Sequence, residues 1–184
     1  LTALPALPGD ISISVNVSAT GVGHPAVLAA LTEADPARTI VEITEHDQVN
    51  DYQAVRAGCE EFRDLGCLIA VDDAGAGYAG FQHLFEIRPD IIKLDMTITR
   101  NLDTDPARAA MVAALVGFAR AVDATVLAEG VETLSELNTA TALGVHYAQG
   151  YHLGRPQALP CHIGRIPPIG PTEHHSEVLT LPNA

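Results

Sequence analysis

Short β-branched runs alternate with helical-period segments along most of the chain, and the alternation predicts six strand–helix units. The run "ISISVNVS", residues 11–18, reads as the first strand. A helix is predicted after His24 and Pro25 through "AVLAALTEA"; in a first turn, the missing N–H of Pro25 costs nothing. "TIVEITE" is the second strand, and Val55, Cys59, Phe62 and Leu65 form a helical stripe over 52–65 that Gly66 closes. A strand over 68–71, a short helix over 81–87 and a strand over 90–95 follow. Asp105 is the expected N-cap of a long helix from Pro106 to about Val122. "ATVLAEG" is the fifth strand, Ser135, Asn138 and Leu143 frame a helix stopped at Gly144, and "VHYAQGY" ends the pattern. From Gln157 onward the chain is proline-rich without sustained period and reads as an irregular tail.

Strands alternating with helices imply a parallel sheet covered by helices, either open or closed into a barrel. The polar residues decide between them. At the C-terminal ends of the strands stand Asn16, Glu42 with Glu45, Asp72 with Asp73, Lys93 with Asp95, Glu129 with Glu132, and Gln149. A barrel brings such ends to one mouth, whereas an open sheet spreads them along an edge. The expected fold is therefore an α/β, TIM-type (β/α)8 barrel, here incomplete with about six of eight units, and the two leading units are expected before Leu1.

Composition narrows the chemistry. Hydrophobic content of 47% with 18% charged residues fits a globular domain. A net charge of −13 argues against a partner such as duplex nucleic acid, whose phosphates need cations. Cys59, Cys67 and Cys161 have no CxxC spacing, so neither a thiolate zinc site nor a redox pair is suggested, and their scattered placement fits a reducing compartment. Several carboxylates with an Asn and a Gln are hard oxygen donors suited to Mg2+ or Mn2+. Adjacent Asp72 and Asp73 allow one carboxylate to bridge two ions while the other completes the second. Each residue also has a structural reading: Asn16 as a loop hydrogen-bonder, Lys93 neutralising Asp95, and Glu45, Asp95 and Glu132 as caps or salt-bridge partners. A Schiff-base role for Lys93 is disfavoured, because surrounding acids raise rather than lower a lysine pKa.

Six ordered motifs over residues 11–156, "VNVSA", "VEITEH", "VDDAGAGYAGF", "PDIIKLD", "LAEGVET" and "QGYHLGRP", make the chain resemble the EAL-domain family of cyclic di-GMP phosphodiesterases. The resemblance implies a modified TIM barrel over 1–156, with 157–184 as a tail. It implies two Mg2+ or Mn2+ ions and hydrolysis of cyclic di-GMP to linear pGpG. Asn16, Glu42 and Asp72 match metal ligands, and Asp73 matches a residue of the second metal site. Lys93 and Glu129 match residues that position or activate the water, with Glu129 the usual general base. Gln149 matches a polar residue near the second metal. Glu45 matches the glutamate that steadies the loop after Asp73, which Gly75 and Gly77 shape. Implied as well are a homodimer, an upstream sensory or cyclase domain and a cytoplasmic location for the domain. The family's Glu-Ala-Leu segment has no counterpart here, and Ala74 stands where Phe is usual. The chain alone is accordingly expected to be inactive or very weak; a degenerate domain that binds cyclic di-GMP or a protein partner is the alternative.

Overall fold

The computed structural model describes residues 7–9, 11–44, 49, 51–74, 79–156 and 177–180, with 79–81 and 177–180 as backbone alone. In chain order the elements are β1 (Ile11–Asn16), α1 (Pro25–Glu33), a 3-10 turn (Pro36–Arg38), β2 (Thr39–Thr44), α2 (Tyr52–Leu65) and β3 (Leu68–Ala74). Then follow α3 (Ala79–Ile87), β4 (Ile91–Leu94), α4 (Met96–Thr99), α5 (Pro106–Ala121), β5 (Thr125–Ala128), α6 (Leu134–Leu143), β6 (Tyr147–Ala148) and β7 (Glu177–Thr180). The strands form one parallel sheet in the order β6-β5-β4-β3-β2-β1-β7. Each of the first six strands pairs with its sequence neighbour because a helical crossover returns the chain alongside in the same direction.

Local chemistry sets most boundaries. Pro25 opens α1, Asp51 caps α2 by accepting from Ala54 N–H at 3.0 Å, and Gly66 ends it at φ 103°. Asp105 accepts from Ala107 N–H at 2.9 Å at the start of α5. The start of α6 differs from expectation. Its cap is Thr133, not Ser135, since Thr133 and Glu136 close a reciprocal capping box. The tail also differs within residues 177–180: read as irregular, they pair in parallel with β1, Ile11 opposite Glu177 through Ser14 opposite Thr180. The short "EVLT" run is β-prone, but the prolines around it masked the signal.

The sheet has two unlike faces. Val41, Ile43, Ile69, Val71, Ile92, Leu94 and Val126 point outward to Phe62, Val112, Leu115 and Val116 of the helices, forming the main core. Ile40, Ala70, Ile91 and Leu127, with Tyr147, form a smaller apolar layer on the other face. Because strand side chains alternate, the next residue on that inner face, two positions on, is Glu42, Asp72, Lys93, Glu129 and Gln149 respectively. The apolar layer thus floors a polar ring at the C-terminal ends of the strands. Among the described residues, no helix is long and apolar enough to cross a membrane.

Candidate metal centre and active site

Lys93 is the hub of the ring. Its Nζ lies 2.9 Å from Glu42 Oε2, 2.9 Å from Asp72 Oδ1 and 2.8 Å from Glu129 Oε1, so all three ammonium hydrogens meet carboxylates from three neighbouring strand ends. Lys93 is 3% exposed and Glu42 1%. Burial by itself would draw the Lys93 pKa down, but Glu42, Glu129 and Asp72 more than offset it and hold it above the ordinary lysine value. The ammonium is therefore a fixed charge, which removes the Schiff-base reading. Burial pushes Glu129 up to about 7 against the lowering pull of Lys93, while Asp72 and Glu42 add to the rise. Gln149 Nε2 donates to Glu129 Oε1 at 2.8 Å, the same oxygen that meets Lys93, and so adds a second hold on that carboxylate.

The pair Asp72–Asp73 depends on a distortion of β3. Val71 pairs with Ile92 and Ala74 with Leu94, so two residues stand opposite the single Lys93. This is a β-bulge, and Asp73 absorbs it at φ 57°, a left-handed conformation that Asp tolerates better than most residues. In a regular strand the two side chains would face opposite sides of the sheet. Here carboxylate oxygens of Asp72, Asp73 and Glu129 all lie within 4.8 Å of one another, and Asp73 N–H donates to Asp72 Oδ1 at 3.1 Å.

The residues fit a divalent cation. Glu42 Oε1 is buried without a hydrogen-bond partner among the described residues, a costly state for a carboxylate oxygen that a cation would relieve. Four carboxylates against one ammonium leave excess negative charge, and every donor is a hard oxygen. Asn16 ends β1 directly across from Glu42.

Other expected residues sit at the rim. Asp95 does not pair with Lys93; its Oδ1 accepts from Thr97 N–H at 2.7 Å and caps α4. Glu132 forms an ion pair with Arg100. Glu45, Gly75 and Gly77 lie outside the described residues.

Sequence reasoning missed Glu136, which is 4% exposed. Its Oε1 accepts from Asn101 N–H at 2.8 Å, and its Oε2 from Glu132 and Thr133 N–H at 2.9 and 3.1 Å. Burial alone would raise its pKa, but the Asn101, Glu132 and Thr133 amides outweigh it and hold the carboxyl below the ordinary range. Its stabilisation is thus complete above the ordinary glutamate pKa and fades as pH falls below it. The T-x-x-E spacing at Thr133 was the legible signal. Also missed was the role of Gly150: a Cβ there would run into the backbone of Val131, so only glycine lets the Gln149 turn close on the loop after Glu129.

The family described as EAL domain matches residues 1–156. The chain is 36% identical over 124 residues to the probable cyclic di-GMP phosphodiesterase PdeA of Escherichia coli, covering 67% of this chain and 17% of that protein. It is 32% identical over 153 residues to the bifunctional diguanylate cyclase/cyclic di-GMP phosphodiesterase MucR of Pseudomonas aeruginosa, covering 80% of this chain and 22% of that protein. The chain therefore spans about a fifth of the length of these curated relatives. Among solved structures, the manganese/cyclic di-GMP complex of Klebsiella pneumoniae BlrP1 superposes with a TM-score of 0.75 at 30% identity, over 84% of this chain and 41% of that one.

Proposed function

The chain belongs to the EAL-domain family, its sheet being part of a TIM-type barrel, and from that premise we propose that it forms most of the catalytic domain of a phosphodiesterase that, at full length, hydrolyses cyclic di-GMP to linear pGpG. The observation that carries this reading is the buried Lys93 hub, which gathers Glu42, Asp72 and Glu129 beside the bulge that presents Asp73.

Asn16, Glu42 and Asp72 would hold one Mg2+ or Mn2+ ion, and Asp73, with Asp72 shared, the second. Such ions, when bound, supply Lewis acidity toward phosphate oxygens and lower the pKa of water. Glu129 acts as general base: it takes a proton from the attacking water as oxygen bonds to phosphorus and the bond to the 3′ oxygen breaks, and the departing oxygen takes a proton from solvent to become the 3′ hydroxyl. Gln149 and Lys93 hold Glu129 in place. Lys93 also neutralises part of the carboxylate charge that would otherwise repel the phosphate. Asp95 and Glu132 shape the rim, and Glu45 with Gly75 and Gly77 steadies the loop after Asp73.

The test is conversion of cyclic di-GMP by the full-length protein with Mn2+, followed by chromatography. The expected product is pGpG, lost with EDTA and restored by Mn2+. Tight binding without conversion would instead establish a receptor.

We further propose a homodimer through α3 and α5. Phe85 is 61% exposed and meets Phe118 edge-on at 5.5 Å between ring centres, and Met111, at 42%, extends the apolar stripe along α5. Phe118→Glu is expected to give a monomer in sedimentation velocity; an unchanged dimer would refute the interface. Free, buried Cys59 and Cys67 suit the reduced cytoplasm in which we place the domain, downstream of a sensory or cyclase module.

A further inference from the structure

The loop that carries Glu129 has little regular structure of its own, since β5 ends at Ala128 and α6 begins only at Leu134. Three contacts bind it to the α4 corner. Gly130, at φ 64°, packs so closely on Met96 that a Cβ would collide with the Met96 side chain. Arg100 pairs with Glu132 on the surface. Between them, the buried Glu136 carboxylate accepts from Asn101 on one side and from Glu132 and Thr133 on the other.

These contacts differ in kind. The Arg100–Glu132 pair is half exposed, with side chains 47% and 41% accessible, and such pairs hold geometry weakly. The Glu136 bonds are charge-assisted, shielded from water and directed at backbone, so they define where the chain itself runs. The α6 N-terminus adds favourable partial charge. A helix cap requires only the Thr133 and Glu136 exchange; the bonds to Asn101 and Glu132 go beyond it.

We infer that Glu136 is a positioning residue for Glu129: its carboxylate pins the loop after β5 to the corner after α4, and so sets the distance from Glu129 to Asp72 and Asp73. The inference rests on the metal-dependent reading above. Glu136 touches neither substrate nor ion and acts through the backbone of residues 129–133. A neutral amide at this site keeps the size of the side chain but offers one acceptor oxygen where three amides are waiting.

The experiment compares the full-length wild type with its Glu136→Gln and Asp51→Ala variants, the last removing the cap of α2, a different element from this loop. In Glu136→Gln, amide exchange at Gly130 and Val131 is expected to accelerate. Mn2+ affinity and kcat should each fall roughly 10-fold, the range for residues that orient metal ligands indirectly. KM for cyclic di-GMP should stay within about twofold, as for a group that acts on the transition state rather than on substrate binding. Asp51→Ala should lower Tm and leave exchange at Gly130, Mn2+ affinity and kcat unchanged. If wild type binds Mn2+ but leaves cyclic di-GMP intact, the functional reading fails, while the Mn2+ affinity ratio still judges the clamp. If wild type binds no Mn2+, exchange at Gly130 and Val131 judges it. Wild-type exchange in Glu136→Gln, unchanged Mn2+ affinity there, or equal losses in Asp51→Ala would overturn the inference.

Discussion

Lys93→Met is expected to lose activity entirely and to destabilise the metal-free protein by about 3–5 kcal/mol, the cost of removing one member of a buried ion cluster. Methionine fills much of the same volume, so the loss is electrostatic. Without the ammonium, Glu42 at 1% exposure faces Asp72 and Glu129 with no cation between them. Urea denaturation without metal reads the stability change. The same measurement with Mn2+ should recover part of it, because at about 100 times its Kd a ligand of the folded state adds about 2.7 kcal/mol. Wild-type stability in the metal-free variant would mean that the three carboxylates do not depend on Lys93, and the hub would lose its place in the account.

Glu129→Gln is expected to lower kcat by about 10²–10⁴-fold, the usual contribution of a general base, with Tm close to wild type. Fold should survive because a glutamine carbonyl still accepts from Lys93 or Gln149, whose donors now meet at Glu129 Oε1. Single-turnover hydrolysis of cyclic di-GMP at saturating Mn2+ separates chemistry from binding. A kcat within tenfold of wild type would assign the proton transfer to another group.

The first six strands and the residue types at their C-terminal ends were open to a reader of the chain; the strand at 177–180 was not. β2, β3, β4 and β5 each show β-branched or aliphatic runs with an acid or a lysine near or just past the C-terminal end, and period-two alternation puts Glu42 on the face of Ile40 and Lys93 on that of Ile91. The helix ends at Gly66 and Gly144 and the cap at Asp105 follow from local backbone chemistry alone. Partner choice did not follow. Asp95 is two residues from Lys93 and looked like its natural counter-ion, yet it caps α4, because a side chain at the turn reaches the free amides of the next helix first. Lys93 instead points down the inner face, toward Glu42 and Glu129, 51 and 36 residues away in sequence.

By itself, the sequence determined the alternation of strands and helices, most of the helix ends, and the oxygen-bearing residue types at the strand ends, because these depend on neighbours within a few residues. Tertiary structure decided three things: the bulge that turns Asp73 to the same mouth as Asp72, the lysine's three carboxylates, and the grip of Glu136 on two loops. Each is a matter of register between segments far apart in the chain. A one-residue shift in strand pairing reverses which side chains meet, and nothing in either segment alone encodes that register.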